Sequence, residues 1–232
     1  MKIASITVYC NEDFRLDEWS NYVCEYIDSI YKHVIINNGF ESDNTKLRKY
    51  FPKSHIIYCS SKSLVKAINS GIKFCLKDPL VKSILLIAND FTSSTKDLKN
   101  LNSFLYKYDF HMVSPIVFQK NSKKIEAIGQ TVNFNNLKLY PNYRNQILEN
   151  CKLGEYLIVD AVPGGFNLSK REFFEIAGLQ DEMLHMYSDE VDTAIKAKKN
   201  NLKIAVNCKI FTFHQHTNNP GKNYRKPMNG YY

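Results

Sequence analysis

Apolar and polar positions along this chain switch between a two-residue and a three-to-four-residue period, the pattern of alternating strands and helices. Ile3–Tyr9 reads as a half-apolar strand, and Asp17–Tyr31 carries Trp19, Val23, Tyr26, Ile27 and Ile30 at helical spacing. His33–Asn37 is a short strand ending in the turn signal Asn-Asn-Gly, and His55–Tyr58 is another strand. Ser63–Leu76 sets Leu64, Ala67, Ile68, Gly71, Ile72 and Cys75 on one helical face. Ser83–Ala88 reads as a buried strand, Thr95–Tyr106 as a helix and His111–Phe118 as a strand. This alternation predicts an α/β fold with a mostly parallel central sheet and helices on both faces. Ligands of such sheets bind beyond the carboxyl ends of the strands, here the loops after Tyr9, Asn37 and Ala88. After Pro115 the pattern becomes irregular, with short strands at Ile125–Phe134 and Leu137–Tyr140. The segment 160–214 then holds a Gly-Gly bend, a helix basic in its first turn, a helix opened by acids, and the strand Lys209–Phe213 ending on a histidine. No linker, repeat or low-complexity stretch interrupts residues 1–232, which read as one domain.

Composition narrows this picture. Hydrophobic content of 44% with 23% charged residues is that of a globular chain. Apolar stretches such as Ile84–Ala88 and Tyr156–Val159 fall far short of the roughly 20 residues that span a bilayer. Met1–Cys10 has one lysine and then strand-like alternation, without a secretory leader's long apolar region, which reads as a cytoplasmic protein. The 6 cysteines have no metal-ligand spacing and read as reduced thiols. A net charge of +8 fits nucleic acid, anionic headgroups or a phosphate-bearing substrate. Its lysines are scattered as on solvated helix faces, which disfavours nucleic acid. The one compact basic-aromatic patch is Lys222–Lys226 with Tyr224.

Each candidate for chemistry has two readings. Asp90, at the tip of a buried strand, is suited to a hard divalent cation bridging phosphates; Asn89-Asp90 is equally a turn that caps its loop. Asp189, Glu190 and Asp192 open a helix behind Ser188, which reads as an N-cap; acids there are favoured by the helix dipole, and a carboxylate so fixed can also take a proton from a hydroxyl. His214 and His216 follow an apolar strand, as satisfied residues or as a metal ligand and a phosphate contact. Gly164-Gly165 lets backbone approach a sugar or diphosphate. Gly71 either lines a ligand helix or allows close helix–sheet packing.

Taken in order, these pieces resemble a GT-A glycosyltransferase of family 2, nearest its rhamnosyltransferase-like branch. Tyr9-Cys10-Asn11 is similar to that family's T-Y-N, and Asn37-Asn38-Gly39-Phe40-Glu41-Ser42-Asp43 to its V-D-N-G-S-x-D. Ala67-Ile68-Asn69-Ser70-Gly71-Ile72 resembles G-x-N-x-G-I, and Ile87-Ala88-Asn89-Asp90 a relaxed D-x-D motif that keeps the last acid. Gly165–Phe174 resembles G-x-x-x-L-I-R-R-E-V-F, with Arg171 on the second arginine, and Tyr187–Asp192 resembles Y-G-E-D-V-D with the acid pair reversed. The matches span residues 3–216.

The resemblance implies a GT-A fold with a nucleotide-binding half at about 1–115, an acceptor and catalytic half at about 116–216, and a basic tail at 217–232. It implies an inverting, metal-dependent transfer from a nucleoside-diphosphate sugar of UDP or dTDP type to a glycan or lipid-linked saccharide of surface polysaccharide synthesis, at an anionic membrane surface. Tyr9, Asn11, Asn37, Gly39, Asn69, Asn89, Gly164, Gly165, Arg171, Lys222 and Arg225 would hold the donor. Asp90 and His214 would hold Mn²⁺ or Mg²⁺, and Glu190, with Asp189 beside it, would be the base. Two rivals remain: a nucleotidyltransferase, which needs a Gly-rich basic loop that Tyr9–Asp17 lacks, and a non-catalytic relative that binds sugar nucleotide or glycan.

Overall fold

The computed structural model describes residues 2–185 and 188–215. In chain order it contains β1 (Ile3–Tyr9), α1 (Leu16–Cys24), β2 (Lys32–Asn37), α2 (Asp43–Tyr50), β3 (His55–Tyr58), α3 (Leu64–Leu76), β4 (Ser83–Ile87), α4 (Thr95–Lys107) and β5 (Met112–Gln119). The second half adds β6 (Ile125–Ala127), β7 (Gln130–Asn133), β8 (Lys138–Pro141), β9 (Tyr156–Ile158), β10 (Phe166–Lys170), α5 (Arg171–Ala177), α6 (Asp189–Lys199) and β11 (Ile204–His214).

Among the described residues the main sheet has the order β3-β2-β1-β4-β10-β5-β11-β9, with β6 on β5 and a separate β7-β8 hairpin. The six strands β3, β2, β1, β4, β5 and β11 run parallel; β10, inserted between β4 and β5, and β9 run antiparallel. This is the mixed, mostly parallel α/β architecture that the alternation implied. Strand order reverses at β1, flanked by β2 on one side and β4 on the other. The crevice beyond their carboxyl ends is where such sheets bind ligands.

Two cores sandwich the sheet. One gathers Trp19 of α1, Leu47 of α2 and Leu98, Leu101 and Leu105 of α4 against Ile3, Ile35 and Val113. The other gathers Ile68 and Ile72 of α3, Phe173 of α5 and Ala197 of α6 against Ile6, Ile36, Ile84 and Ile116. The central strands β2, β4 and β5 are buried on both faces, which explains their largely apolar runs.

Three local readings need correction. The helix expected over Asp17–Tyr31 stops at Cys24, and Ile27–Ser29 is a separate 3₁₀ turn; Tyr26 between them leaves the helical backbone (φ −133°) and is buried in the first core. Ile125–Phe134 is two strands, split at Gly129, whose φ of +64° turns the chain. Ser188 precedes α6 in the left-handed region (φ +63°), and its side chain makes no capping bond.

Gly71 settles its two readings in favour of packing: a Cβ there would sit 2.7 Å from Ile6 Cγ2 and 3.3 Å from Ile36 Cγ1. Alanine gains about 1 kcal/mol in helix propensity, but overpacking a buried face costs about 1–3 kcal/mol. Gly71→Ala is therefore expected to lose on the order of 1 kcal/mol of stability net, read as a lower urea midpoint at unchanged m-value.

Candidate active site

The carboxyl ends of β1, β2, β4, β5 and β11 share one edge of the sheet. β10 runs the other way, so the Gly164-Gly165 bend before it reaches that same edge, where Phe166 pairs with Ile87. The edge therefore gathers Asn11, Gly39, Asp90, Gly164, Gly165 and His214 from five separate segments.

Asp90 and His214 meet across 124 residues, Oδ2 to Nε2 at 3.1 Å. Backbone bonds between the two segments hold them there: Gln215 N–H donates to the Asp90 carbonyl at 2.7 Å, and Thr92 N–H to the Phe213 carbonyl at 3.3 Å. Phe91 stacks on the imidazole at 4.4 Å between centroids. The other imidazole nitrogen, Nδ1, lies 2.9 Å from Glu126 Oε1 on β6. Arg15, buried in the loop after β1, brings its guanidinium to 3.9 Å from Asp90. Burial pushes the Asp90 carboxyl up, but the hydrogen bond and charge of His214, with Arg15, outweigh it and hold it below the ordinary carboxylate range. Burial pushes His214 down, yet Asp90 and Glu126 together raise it to about 9.

The donor set fits a divalent cation: one carboxylate oxygen and one imidazole nitrogen face each other, and a carboxylate behind the histidine fixes its ring. Among the described residues no group of three or more His, Cys, Asp or Glu side chains is arranged to hold an ion. A cation at Asp90 and His214 would have two protein ligands, the number typical where substrate phosphates complete the shell.

Asp189 and Glu190 begin α6. Gly164 N–H donates to Glu190 Oε1 at 3.3 Å, and a Cβ on Gly164 would lie 3.1 Å from that oxygen. Burial, then the Asp189 charge, pushes the Glu190 carboxyl up to about 7. A cleft of about 380 Å³ separates the two pairs, with Ile6, Ile68 and Leu86 among its walls and Gly164, Gly165, Asp189, Glu190 and His214 also lining it.

Other expected ligand residues are engaged elsewhere. Tyr9 shares the sheet face of Ile3, so the strand's two-residue period buries it against Trp19, with its hydroxyl on Asp13. Asn37 is fully buried; its amide donates to the Phe40 carbonyl and Asn44, and its oxygen accepts Gly39 N–H. Gly39 packs directly on the Asn11 carboxamide, and Asn11 is exposed at the crevice. Asn89 is buried and donates to Glu12, tying the loop after β1 to the tip of β4. Asn69 is fully buried and bonds the chain at Gln180. Gly165 makes room for Phe91, whose Cε2 would lie 2.4 Å from an added Cβ. Arg171 is at the opposite edge, since β10 ends beside the start of β4; its guanidinium caps α3 through the Leu76 and Asp78 carbonyls at 2.8 and 2.9 Å. His216, Lys222, Tyr224 and Arg225 lie outside the described residues.

Sequence reasoning did not assign Glu12, Arg15 or Glu126 to the site. Glu126 left one signal, a charge between two buried apolar residues of a three-residue strand.

No family model and no curated protein matches this sequence. Solved structures do match its fold. The crystal structure of GalNAc-T7 with UDP, GalNAc and Mn²⁺ superposes with a TM-score of 0.70 at 13% identity, over 92% of this chain and 44% of that one. S. aureus TarS superposes with a TM-score of 0.64 at 13% identity, over 93% of this chain and 37% of that one. Its fragment 1–349 gives 0.61 at 15% identity, over 93% and 60%. These neighbours are GT-A glycosyltransferases, and the fold of this chain is the GT-A fold. The chain spans less than two thirds of the length of each.

The His214 pair makes stability depend on pH. Its folded pKa of about 9 exceeds the ordinary 6.5, so the stabilisation is complete below pH 6.5 and lost as pH rises through about 9. The stability gap between wild type and His214→Gln in chelator-containing buffer is expected to shrink over that window, measured by urea unfolding at successive pH values.

Proposed function

We propose that this chain is a glycosyltransferase domain that moves a sugar, with inversion, from a UDP- or dTDP-type donor to a hydroxyl of a glycan or lipid-linked saccharide. The observation that carries the reading is the single cleft at the strand-order reversal, lined on one side by His214, with Asp90 behind it, and on the other by the Asp189–Glu190 pair. A diphosphate needs positive charge; a hydroxyl nucleophile needs a base across from the leaving group. The cleft offers both. The fold shared with GalNAc-T7, crystallised with UDP, GalNAc and Mn²⁺, supports the same reading.

In this mechanism the nucleotide lies over the loops after β1 and β2. Asn11 contributes polar contacts, and the exposed rings of Phe14 and Phe40 offer stacking surface for the base. Asp90 and His214 would hold Mn²⁺ or Mg²⁺, which would supply positive charge to offset that of the diphosphate. Glu126 keeps the imidazole oriented, and Arg15 adds a fixed positive charge beside it. The acceptor oxygen forms its bond to the anomeric carbon as the bond to the diphosphate oxygen breaks. Its proton passes to a Glu190 oxygen, and the nucleoside diphosphate departs. Gly164, donating to Glu190, keeps that carboxylate aimed along the cleft.

Use of a lipid-linked acceptor in surface polysaccharide synthesis, at the cytoplasmic face of an anionic membrane, is the setting we propose for this activity. The net charge of +8 supports it, and no helix among the described residues is long and apolar enough to cross a membrane.

Calorimetric titration with UDP and with dTDP, each with manganese and with chelator, tests the donor site. Metal-dependent binding weakened at least about tenfold by Asp90→Ala is expected; absence of binding to either nucleotide overturns the assignment. Glu190→Gln is expected to lower kcat by about 10²–10⁴-fold at near-constant nucleotide affinity, and wild-type kcat to fall as pH drops below about 7, where Glu190 gains its proton. Binding without transfer or donor hydrolysis leaves a sugar-nucleotide-binding module instead.

A further inference from the structure

β11 changes character along its length. Ile204–Cys208 is buried on both faces, but beyond it Lys209, Phe211 and Phe213 are exposed in alternation with the buried Ile210 and Thr212. The change coincides with a shift in the register against β5, between Asn207 and Phe211. The two-residue period thus sets a lysine and two phenylalanines on one open face. Phe118 of β5, buried and opposite Phe213 in register, packs against both rings, 5.7 Å from Phe211 and 5.8 Å from Phe213 between centroids. These three rings and Leu148 line a groove of about 310 Å³, together with Ser122, Lys123 and Glu149. Single exposed apolar side chains are ordinary; a groove built of contiguous rings marks a contact surface.

Its charge points to the occupant. The segments that form it, 118–124, 144–152 and 209–213, carry Lys120, Lys123, Lys124, Arg144, Lys152 and Lys209 against a single acid, Glu149. That excess is most of the chain's net charge of +8. All of these cations but Lys120, which pairs with Glu18 at 3.7 Å, are exposed.

We propose that this face docks the protein on an anionic lipid bilayer, with Phe211 and Phe213 entering the boundary between headgroups and acyl chains while Lys123, Lys124 and Lys209 meet lipid phosphates. Apolar burial and attraction to anionic headgroups are the two contributions that hold a protein at a membrane surface. Other occupants fit less well. A second copy of the chain meeting this face about a two-fold axis would set lysines against lysines. Single-stranded nucleic acid stacks successive bases on open ring faces. Here the Phe211 and Phe213 rings tilt by 64° and 32° from Phe118 and wall a groove. The proposal gives the lipid-linked acceptor a location and rests on that reading for its functional meaning. Phe213 directly precedes His214, so a bilayer at this face adjoins the cleft.

The test is co-sedimentation of the full chain, without donor, with sucrose-loaded vesicles of phosphatidylcholine alone or with about 30% phosphatidylglycerol. Binding at least about tenfold tighter to the anionic vesicles is expected. Lys123→Gln/Lys124→Gln is expected to weaken it about ten- to thirtyfold, and Phe211→Thr/Phe213→Thr about tenfold. Phe213→Trp, which keeps the face aromatic should the threonine variant not fold, is expected to shift its emission to the blue on these vesicles and to be quenched by lipids brominated in their acyl chains. Equal binding to both vesicles overturns the proposal. So does binding that survives both groove variants and is lost in Lys222→Gln/Arg225→Gln/Lys226→Gln. A dimer that Phe211→Thr/Phe213→Thr dissociates, in a chain that ignores vesicles, makes the face an interface between copies instead. Vesicle binding by a chain without transferase activity overturns the catalytic reading and leaves the docking face standing; an active chain indifferent to vesicles does the reverse.

Discussion

The contact between Asp90 and His214 depends on a topological constraint: strands separated by most of the chain must end at the same edge. β4 and β11 do so because each is parallel to its neighbours in the parallel set, and because β10 enters between β4 and β5 in the opposite sense. Had β10 run parallel, its preceding bend would lie at the far edge, and Gly164 could not reach Glu190. The antiparallel insertion thus sets which loops face each other, and it also carries Arg171 away from them.

Burial then sets the chemistry of the two pairs in opposite ways. Between Asp90 and His214 the charges are of opposite sign, so mutual attraction overcomes desolvation and both stay charged. Between Asp189 and Glu190 the charges are alike, so repulsion adds to desolvation and a proton is retained near neutrality. A single cleft thereby carries a pair suited to binding a charged leaving group and a pair suited to receiving a proton. Both rest on rigid elements, a strand end and a helix start, rather than on long loops.

Several polar residues that looked like ligands maintain the shape of the crevice. Asn37 closes the turn after β2, Asn89 ties that edge to Glu12, and Asn69 ties α3 to the loop leading to α6. Asn37 and Asn69 each meet both a backbone donor and a backbone acceptor, as a carboxamide can, while Asn89 meets the Glu12 carboxylate.

The sequence by itself determined the α/β class, the strands and helices through residue 118 apart from α2, the location of Asp90 at a strand tip and the helix start at Asp189, since these follow from local period and turn chemistry. It placed Gly71 on the apolar face of its helix, and the contact with Ile6 that makes its role packing emerged only in three dimensions. Only the tertiary structure decided that Tyr9 and Asn37 are buried, that Arg171 caps a helix at the far edge, and that Glu126 and Arg15 stand beside the Asp90–His214 pair and Gln180 beside Asp189. Period tells which face of an element a residue occupies; which other element covers that face depends on strand order and direction, and these are set by contacts between residues far apart in the chain.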